Sequence, residues 1–176
     1  IDGGCMDPSE DNSIGPHETA ECADVTTERT LVILKPEAIE KYIVGSVLKY
    51  FDDANFKPIA MYQRKGSEYI FREHYKDVIA RVGSEIGNDI IARMTRGDCI
   101  FIVYQGEDAI AKCREIIGAT NPAVAATGTI RRVYGNTVQY NVVHASDSPE
   151  SAEREIRLWF PELMTRPTDR DQRSFG

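Results

Sequence analysis

Long apolar runs are missing from this 176-residue chain, and no stretch approaches the length needed to cross a bilayer. A basic-then-apolar opening is missing too, so the expected setting is cytoplasmic, with no membrane partner. Positive charge is in deficit. Lys and Arg total 21 against 28 Asp and Glu, a net charge of −7. That balance argues against general nucleic-acid binding, while leaving room for a local basic pocket. Cysteine is sparse, and Cys5, Cys22, Cys99 and Cys113 follow no metal-binding spacing. Cys99 and Cys113 fall in what read as a buried strand and a helix face, which suits reduced thiols in a reducing compartment. Cys5 and Cys22 lie in a polar leader, as tail thiols or as a pair. Internal repeats are absent. What remains is an ordinary globular composition, 41% hydrophobic and 28% charged, at a length that suits one domain with a real core.

Residues 1–27 are rich in Asp, Glu, Gly, Ser and Pro without apolar periodicity, and are expected to be a disordered extension. His17 lies there and receives no role. The domain is expected over residues 28–165, followed by a polar tail at 166–176. Thr30-Leu-Val-Ile-Leu-Lys35-Pro36 is a short apolar run ended by proline, the pattern of a buried strand. Val44, Val47, Leu48 and Phe51 then give a helix face. Phe56 to Arg64 reads as a second strand. Ser67 is placed to cap a helix carrying Tyr69, Ile70, Tyr75 and Val78, and Ile86, Ile90, Ile91 and Met94 mark another. Cys99 to Tyr104 is a third strand, and Ala109 to Ile117 a helix closed by Gly118. A long irregular stretch, residues 119–135, follows, and loops of that length in compact domains tend to be functional.

The stretch from Thr137 to Ser151 carries the chemistry. Val138 to Val143 is rich in β-branched residues and reads as a strand. Asp147 or Ser148 can cap a helix that begins at Pro149. His144 falls between the two, where free backbone N–H groups favour anions and an imidazole is well placed to meet a phosphate. Glu155 lies eight residues past Asp147, about two helical turns on. A carboxylate there could accept the proton of one ring nitrogen, fix the tautomer and leave the other nitrogen free as a nucleophile. The plainer reading makes His144 a satisfied core-edge histidine and Glu155 a solvated partner of Arg154 or Arg157.

Asn141-x-x-His144-Ala145-Ser146-Asp147 resembles the active-site signature of the nucleoside diphosphate kinases, which read Asn-x-x-His-Gly-Ser-Asp. Further segments match in order over residues 30–163. Lys35-Pro36-Glu37 resembles the family's Lys-Pro-Asp. Arg114 through Gly118, Thr120, Asn121 and Pro122 resembles Arg-x-x-x-Gly-x-Thr-Asn-Pro, and Gly128 to Arg131 matches Gly-Thr-Ile-Arg. His74-Tyr75 matches the family's His-Tyr. The resemblance implies a phosphohistidine carrier at His144, with Glu155 orienting it and Ser146 in support. It implies phosphate contacts from Lys35, Arg114, Thr120 and Arg131, with Asn141 on the sugar and phosphates and Tyr75 near the histidine. His74 reads as helix packing, not a second nucleophile. Mg²⁺ is implied, bound chiefly to substrate oxygens, with Asp147 reaching it through water. The substrates implied are nucleoside tri- and diphosphates, and the assembly a homo-oligomer, either hexamer or tetramer.

For the fold, the element order suits an α/β (α+β) ferredoxin-like split βαβ sandwich: a four-stranded antiparallel sheet with helices on one face and an inserted helical pair. A doubly wound parallel sheet is the rival, and the resemblance favours the first. Three departures stand out. The base-stacking Phe is replaced by a segment without aromatics, so Ile86 is expected to wall the base with Val138 opposite. Ala145 stands where the family has Gly, which is costly only if φ is positive. Arg132 and Tyr140 add bulk. These changes keep alive the alternative of a weak or inactive relative that serves as a nucleotide-binding scaffold.

Overall fold

The computed structural model describes residues 27–164. The expected extension and polar tail lie outside the described residues, as do Cys5 and Cys22, except that Thr27 opens the first strand. β1 (Thr27–Leu34) runs into α1 (Pro36–Glu40), and Pro36 both stops the strand and supplies the fixed φ of a helix start. There follow α2 (Val44–Asp53), β2 (Lys57–Arg64), α3 (Glu68–His74), α4 (Lys76–Val82), α5 (Ser84–Thr95) and β3 (Cys99–Glu107). The described residues close with α6 (Ala109–Ile117), α7 (Ile130–Tyr134), β4 (Val143–Ala145), α8 (Pro149–Trp159) and a 3₁₀ turn, Pro161–Met164. The sheet order is β2-β3-β1-β4, with every pairing antiparallel. This is the ferredoxin-like sheet the sequence led us to expect; the parallel rival is excluded.

Several expectations need correction. The helical cover lies on both faces of the sheet. Val32 and Leu34 pack against Ala38, Phe51, Cys113 and Ile117, from α1, α2 and α6. Leu31 and Ile33, facing the other way, pack against Phe71, Ile91, Ile156 and Trp159, from α3, α5 and α8. A strand buried on both sides reads as a continuous apolar run, which is why Leu31 to Leu34 shows no alternation. The inserted pair is in fact three helices, because the first breaks at Tyr75 into α3 and α4. Ser67 caps α3 as expected, its hydroxyl accepting the Ile70 N–H.

The strand expected over Val138 to Val143 is much shorter. Residues 136–140 form a turn closed by Asn136 N–H to Tyr140 O at 2.9 Å, and pairing begins only at Val143. Val142 sits at φ +72°, a conformation costly for a β-branched residue. It is pinned on both sides: its N–H donates to Glu37 Oε1 at 3.1 Å, and its carbonyl accepts the Lys35 N–H at 2.8 Å. β-propensity gives way to these tertiary bonds. His144 therefore lies inside β4, opposite Ile33, and not at a strand–helix junction. Ala145 is not among the residues with positive φ, so its methyl carries no backbone penalty. Gly118 does need its glycine: at φ +82°, a Cβ there would collide with Thr129. Among the described residues, no helix is long and apolar enough to cross a membrane. Cys99 and Cys113 are free and buried, in β3 and α6.

Candidate active site

His144 projects from the shortest strand, β4, and its side chain retains 19% exposure. Its Nε2 lies 3.0 Å from Glu155 Oε2. Ser148 caps α8 by accepting the Ser151 N–H, and Pro149 occupies the first turn, so the helix start sets the angle that turns Glu155 back toward the strand. Ser146 donates its hydroxyl to the same Oε2 at 2.7 Å and accepts the Leu31 N–H at 3.2 Å. Burial would raise the Glu155 carboxyl. Proximity to the imidazole of His144, their hydrogen bond, His74 and the Ser146 hydroxyl outweigh that and bring it down to about 2. A carboxylate accepts, so Nε2 carries the ring proton and Nδ1 keeps its lone pair. Arg157 pairs with Glu153, so it does not compete for Glu155.

A cleft of about 570 Å³ opens in front of this ring. Lys35, Tyr75, Ile86, Arg114, Thr120 and Arg131 line it, as do Val138, Asn141, His144, Asp147 and Glu155. Ser146 stands behind it, fully buried. Lys35 is held at the end of β1 by its Nζ bond to Asn141 Oδ1 at 2.6 Å. Burial is the main cause that lowers the Lys35 ammonium to about 8, with Glu37 opposing and Arg131 and Arg93 adding to the fall. Asn141 donates its amide to Thr120 O at 3.0 Å, tying the long loop to the lysine. Arg131, at the first turn of α7, is 4% exposed and held by two carbonyls, Gly118 O and Val143 O, each at 2.9 Å. Its third donor nitrogen, Nε, has no partner among the described residues. Burial, reinforced by Arg114, lowers Arg131 to about 10.

Tyr75 is nearly buried, its ring edge-on to His144 with centroids 6.0 Å apart. No hydrogen bond joins the two among the described residues. Ile86 and Val138 are half exposed in the cleft lining. Arg81 and Arg93 also line the cleft without any sign in the sequence, as do His74, read there as helix packing, and Arg154, read only as a partner for Glu155. Glu37 is buried, and its grip on Val142 was equally unforeseen. Asp147 is exposed at the cleft. One water-facing carboxylate suits Mg²⁺, which keeps most of its waters and takes its other oxygens from a substrate. The nitrogen-rich group of His74, His144 and Glu155 does not.

The comparisons fit this geometry. The family model described as nucleoside diphosphate kinase matches residues 28–164. The nucleoside diphosphate kinase of Anaeromyxobacter sp. (strain Fw109-5) is 43% identical over 138 residues, 78% of this chain and 92% of that protein. That of Methanocaldococcus jannaschii is 42% identical over 135 residues, 77% of this chain and 94% of that protein. Among solved structures, the Aquifex aeolicus nucleoside diphosphate kinase superposes with a TM-score of 0.74 at 36% identity, covering 78% of this chain and 98% of that one. The enzyme from Encephalitozoon cuniculi gives the same TM-score at 29% identity, covering 83% of this chain and 97% of that one. A match over this much of the chain, joined to a histidine, a carboxylate and a ring of cations in one cleft, leaves one assignment: the chain belongs to the nucleoside diphosphate kinase family.

Proposed function

We propose that this chain moves the γ-phosphoryl group of a nucleoside triphosphate to a nucleoside diphosphate, with His144 as the carrier. The observation that supports it most is the 3.0 Å contact between His144 Nε2 and Glu155, which leaves the Nδ1 lone pair free beside a cationic cleft. In the first half-reaction, Nδ1 attacks the γ-phosphorus, and the bond to the bridging oxygen breaks with its electron pair leaving on the diphosphate. In the second, an oxygen of the acceptor's β-phosphate attacks the same phosphorus, and the P–N bond breaks to restore the Nδ1 lone pair. Glu155 and Ser146 orient the ring. Lys35, Arg114, Arg131 and Thr120 hold the phosphates, with Asn141 on sugar and phosphate and Tyr75 beside the ring. The Nε–H of Arg131, spare in the protein, suits an incoming phosphate oxygen.

Mg²⁺ bound to the triphosphate would neutralise charge on its oxygens, with Asp147 holding it through water. Ile86 and Val138 would clamp the base without aromatic stacking, and so bind it weakly and without preference. The chain would act in the cytoplasm as a homo-oligomer, hexamer or tetramer, with neither membrane nor nucleic acid as partner. A binding-only scaffold would need neither the nucleophile nor its orienting carboxylate. Steady-state kinetics with varied donor and acceptor should give the parallel lines of a ping-pong cycle, and His144→Ala should abolish turnover. Intersecting lines, or activity in His144→Ala, would defeat the reading.

A further inference from the structure

His74 ends α3 and is 3% exposed. Its Nδ1 accepts the indole N–H of Trp159 at 3.1 Å. A neutral imidazole carries one proton, so an accepting Nδ1 places that proton on Nε2. Nε2 has no hydrogen-bond partner among the described residues. Buried donors are nearly always satisfied, so an orphan calls for a reason. The surroundings point to one. The His74 ring stands at 74° to the His144 ring, with centroids 4.6 Å apart. A ring nitrogen of each and a carboxylate oxygen of Glu155 lie within 4.8 Å of one another. The trio is no metal site, because Trp159 occupies one nitrogen of His74 and a proton the other.

We propose that His74 is a positioning residue for phosphoryl transfer: Trp159 locks it as the neutral Nε2–H tautomer, in which it braces the His144 ring and holds a spare N–H for the negative charge that arrives with the phosphoryl group. The inference rests on His144 being the carrier. A charged His74 would serve badly, since a protonated Nδ1 could no longer accept the Trp159 indole N–H. Burial, followed by His144, keeps it neutral down to about 3, with Arg154 and Lys35 acting in the same direction and Glu155 against them. An imidazole that stays neutral through the working range can donate steadily without taking a proton that belongs to the reaction.

The full chain has three histidines, His17, His74 and His144, so its ¹⁵N spectrum is readily assigned with His17→Ala and His144→Ala. One ring should remain the neutral Nε2–H tautomer from about pH 8 to about pH 5. That tautomer should be lost in Trp159→Phe, and its Nε2–H resonance should move when ATP phosphorylates His144. In kinetics, His74→Asn keeps an acceptor for Trp159 but no donor at the Nε2 position, whereas His74→Gln reaches that position with an amide N–H. His74→Asn should lose about tenfold or more in kcat with KM little changed, and should hold less phosphoenzyme at a fixed ATP:ADP ratio; His74→Gln should recover most of both. An Nδ1–H tautomer in the wild type, or equal kcat in all three proteins, overturns the inference, as do losses that only track thermal stability. Should His74→Asn fail to fold, the wild-type and Trp159→Phe spectra decide. A wild type that takes no label on His144 defeats the carrier reading itself, whereas a labelled wild type matched by His74→Asn defeats only the role of His74.

Discussion

Glu37 accepts the backbone N–H of Val142 at 3.1 Å across 105 residues of sequence, and so holds a left-handed valine two positions before His144. Removing that acceptor leaves a buried N–H unpaired beside a strained backbone. Glu37→Ala should cost about 1–3 kcal/mol of stability, read as a lower denaturant midpoint, and should also depress kcat by misplacing β4. Glu37→Gln keeps an oxygen at the same reach and gives up a 3.8 Å approach to Arg96 and the charge that supports the Lys35 ammonium, so its stability should stay close to wild type. Equal stabilities for both variants would show that the bond does not hold the turn.

The carboxylate behind the histidine makes a second prediction. Glu155→Gln can no longer favour a protonated Nε2 by charge, and a kcat loss of about 10- to 100-fold is expected with little change in KM. Ser146→Ala, which removes a donor to the same oxygen, should lose less. Rapid-quench measurement of the first half-reaction separates these effects from product release.

Acid should unfold the chain through the same group. Its folded pKa, about 2, lies below the ordinary 4.5, so the stability it contributes is present above 4.5 and is lost as the pH falls toward 2. The gap in urea midpoint between wild type and Glu155→Gln should therefore narrow over that window. A gap that stays constant with pH would mean that the carboxylate is not ionised in the native state.

Lys35 sets the alkaline limb. With its ammonium lowered to about 8, the free enzyme loses this positive charge as the pH passes that value, and kcat/KM should fall above it. Stability should move the other way: the native state gives up the proton before the unfolded chain does, so the penalty for burying the charge fades as pH climbs from about 8 to 10.5. Lys35→Arg should remove the limb in kcat/KM even if the activity is lower throughout.

For the base, Ile86 and Val138 offer only aliphatic contact, so KM values for ATP, GTP and CTP should lie close together. Ile86→Phe should tighten nucleotide binding by up to about 1–3 kcal/mol, the worth of stacking a base on an aromatic ring. Unchanged binding would place the base elsewhere in the cleft.

Much of the sheet could be read in advance, because Leu31 to Leu34 and Cys99 to Tyr104 are apolar runs of strand length, the first closed off by Pro36. His144, its carboxylate and the cations that line the cleft were legible as motifs; spacing alone left Glu155 as much a partner for Arg154 as for His144. The misreadings share a cause. Val138 to Val142 has every local mark of a strand, yet Glu37 and the Lys35 backbone N–H, both distant in sequence, bend it into a turn. His74 reads as helix packing and is indeed buried at the end of α3, but its bond from the Trp159 indole has no signature in the order of residues. Helix periodicity shows which side of a helix is buried but not which face of the sheet it covers, and so both-sided cover went unforeseen.

The most direct test is brief incubation of the full chain with Mg²⁺ and γ-labelled ATP, followed by removal of nucleotide, acid or alkali treatment, and a chase with unlabelled GDP. The account predicts label on His144 that acid releases and alkali spares, that GDP carries away as GTP, and that His144→Ala never acquires. Protein that stays unlabelled, or a label that survives acid and ignores GDP, would contradict it.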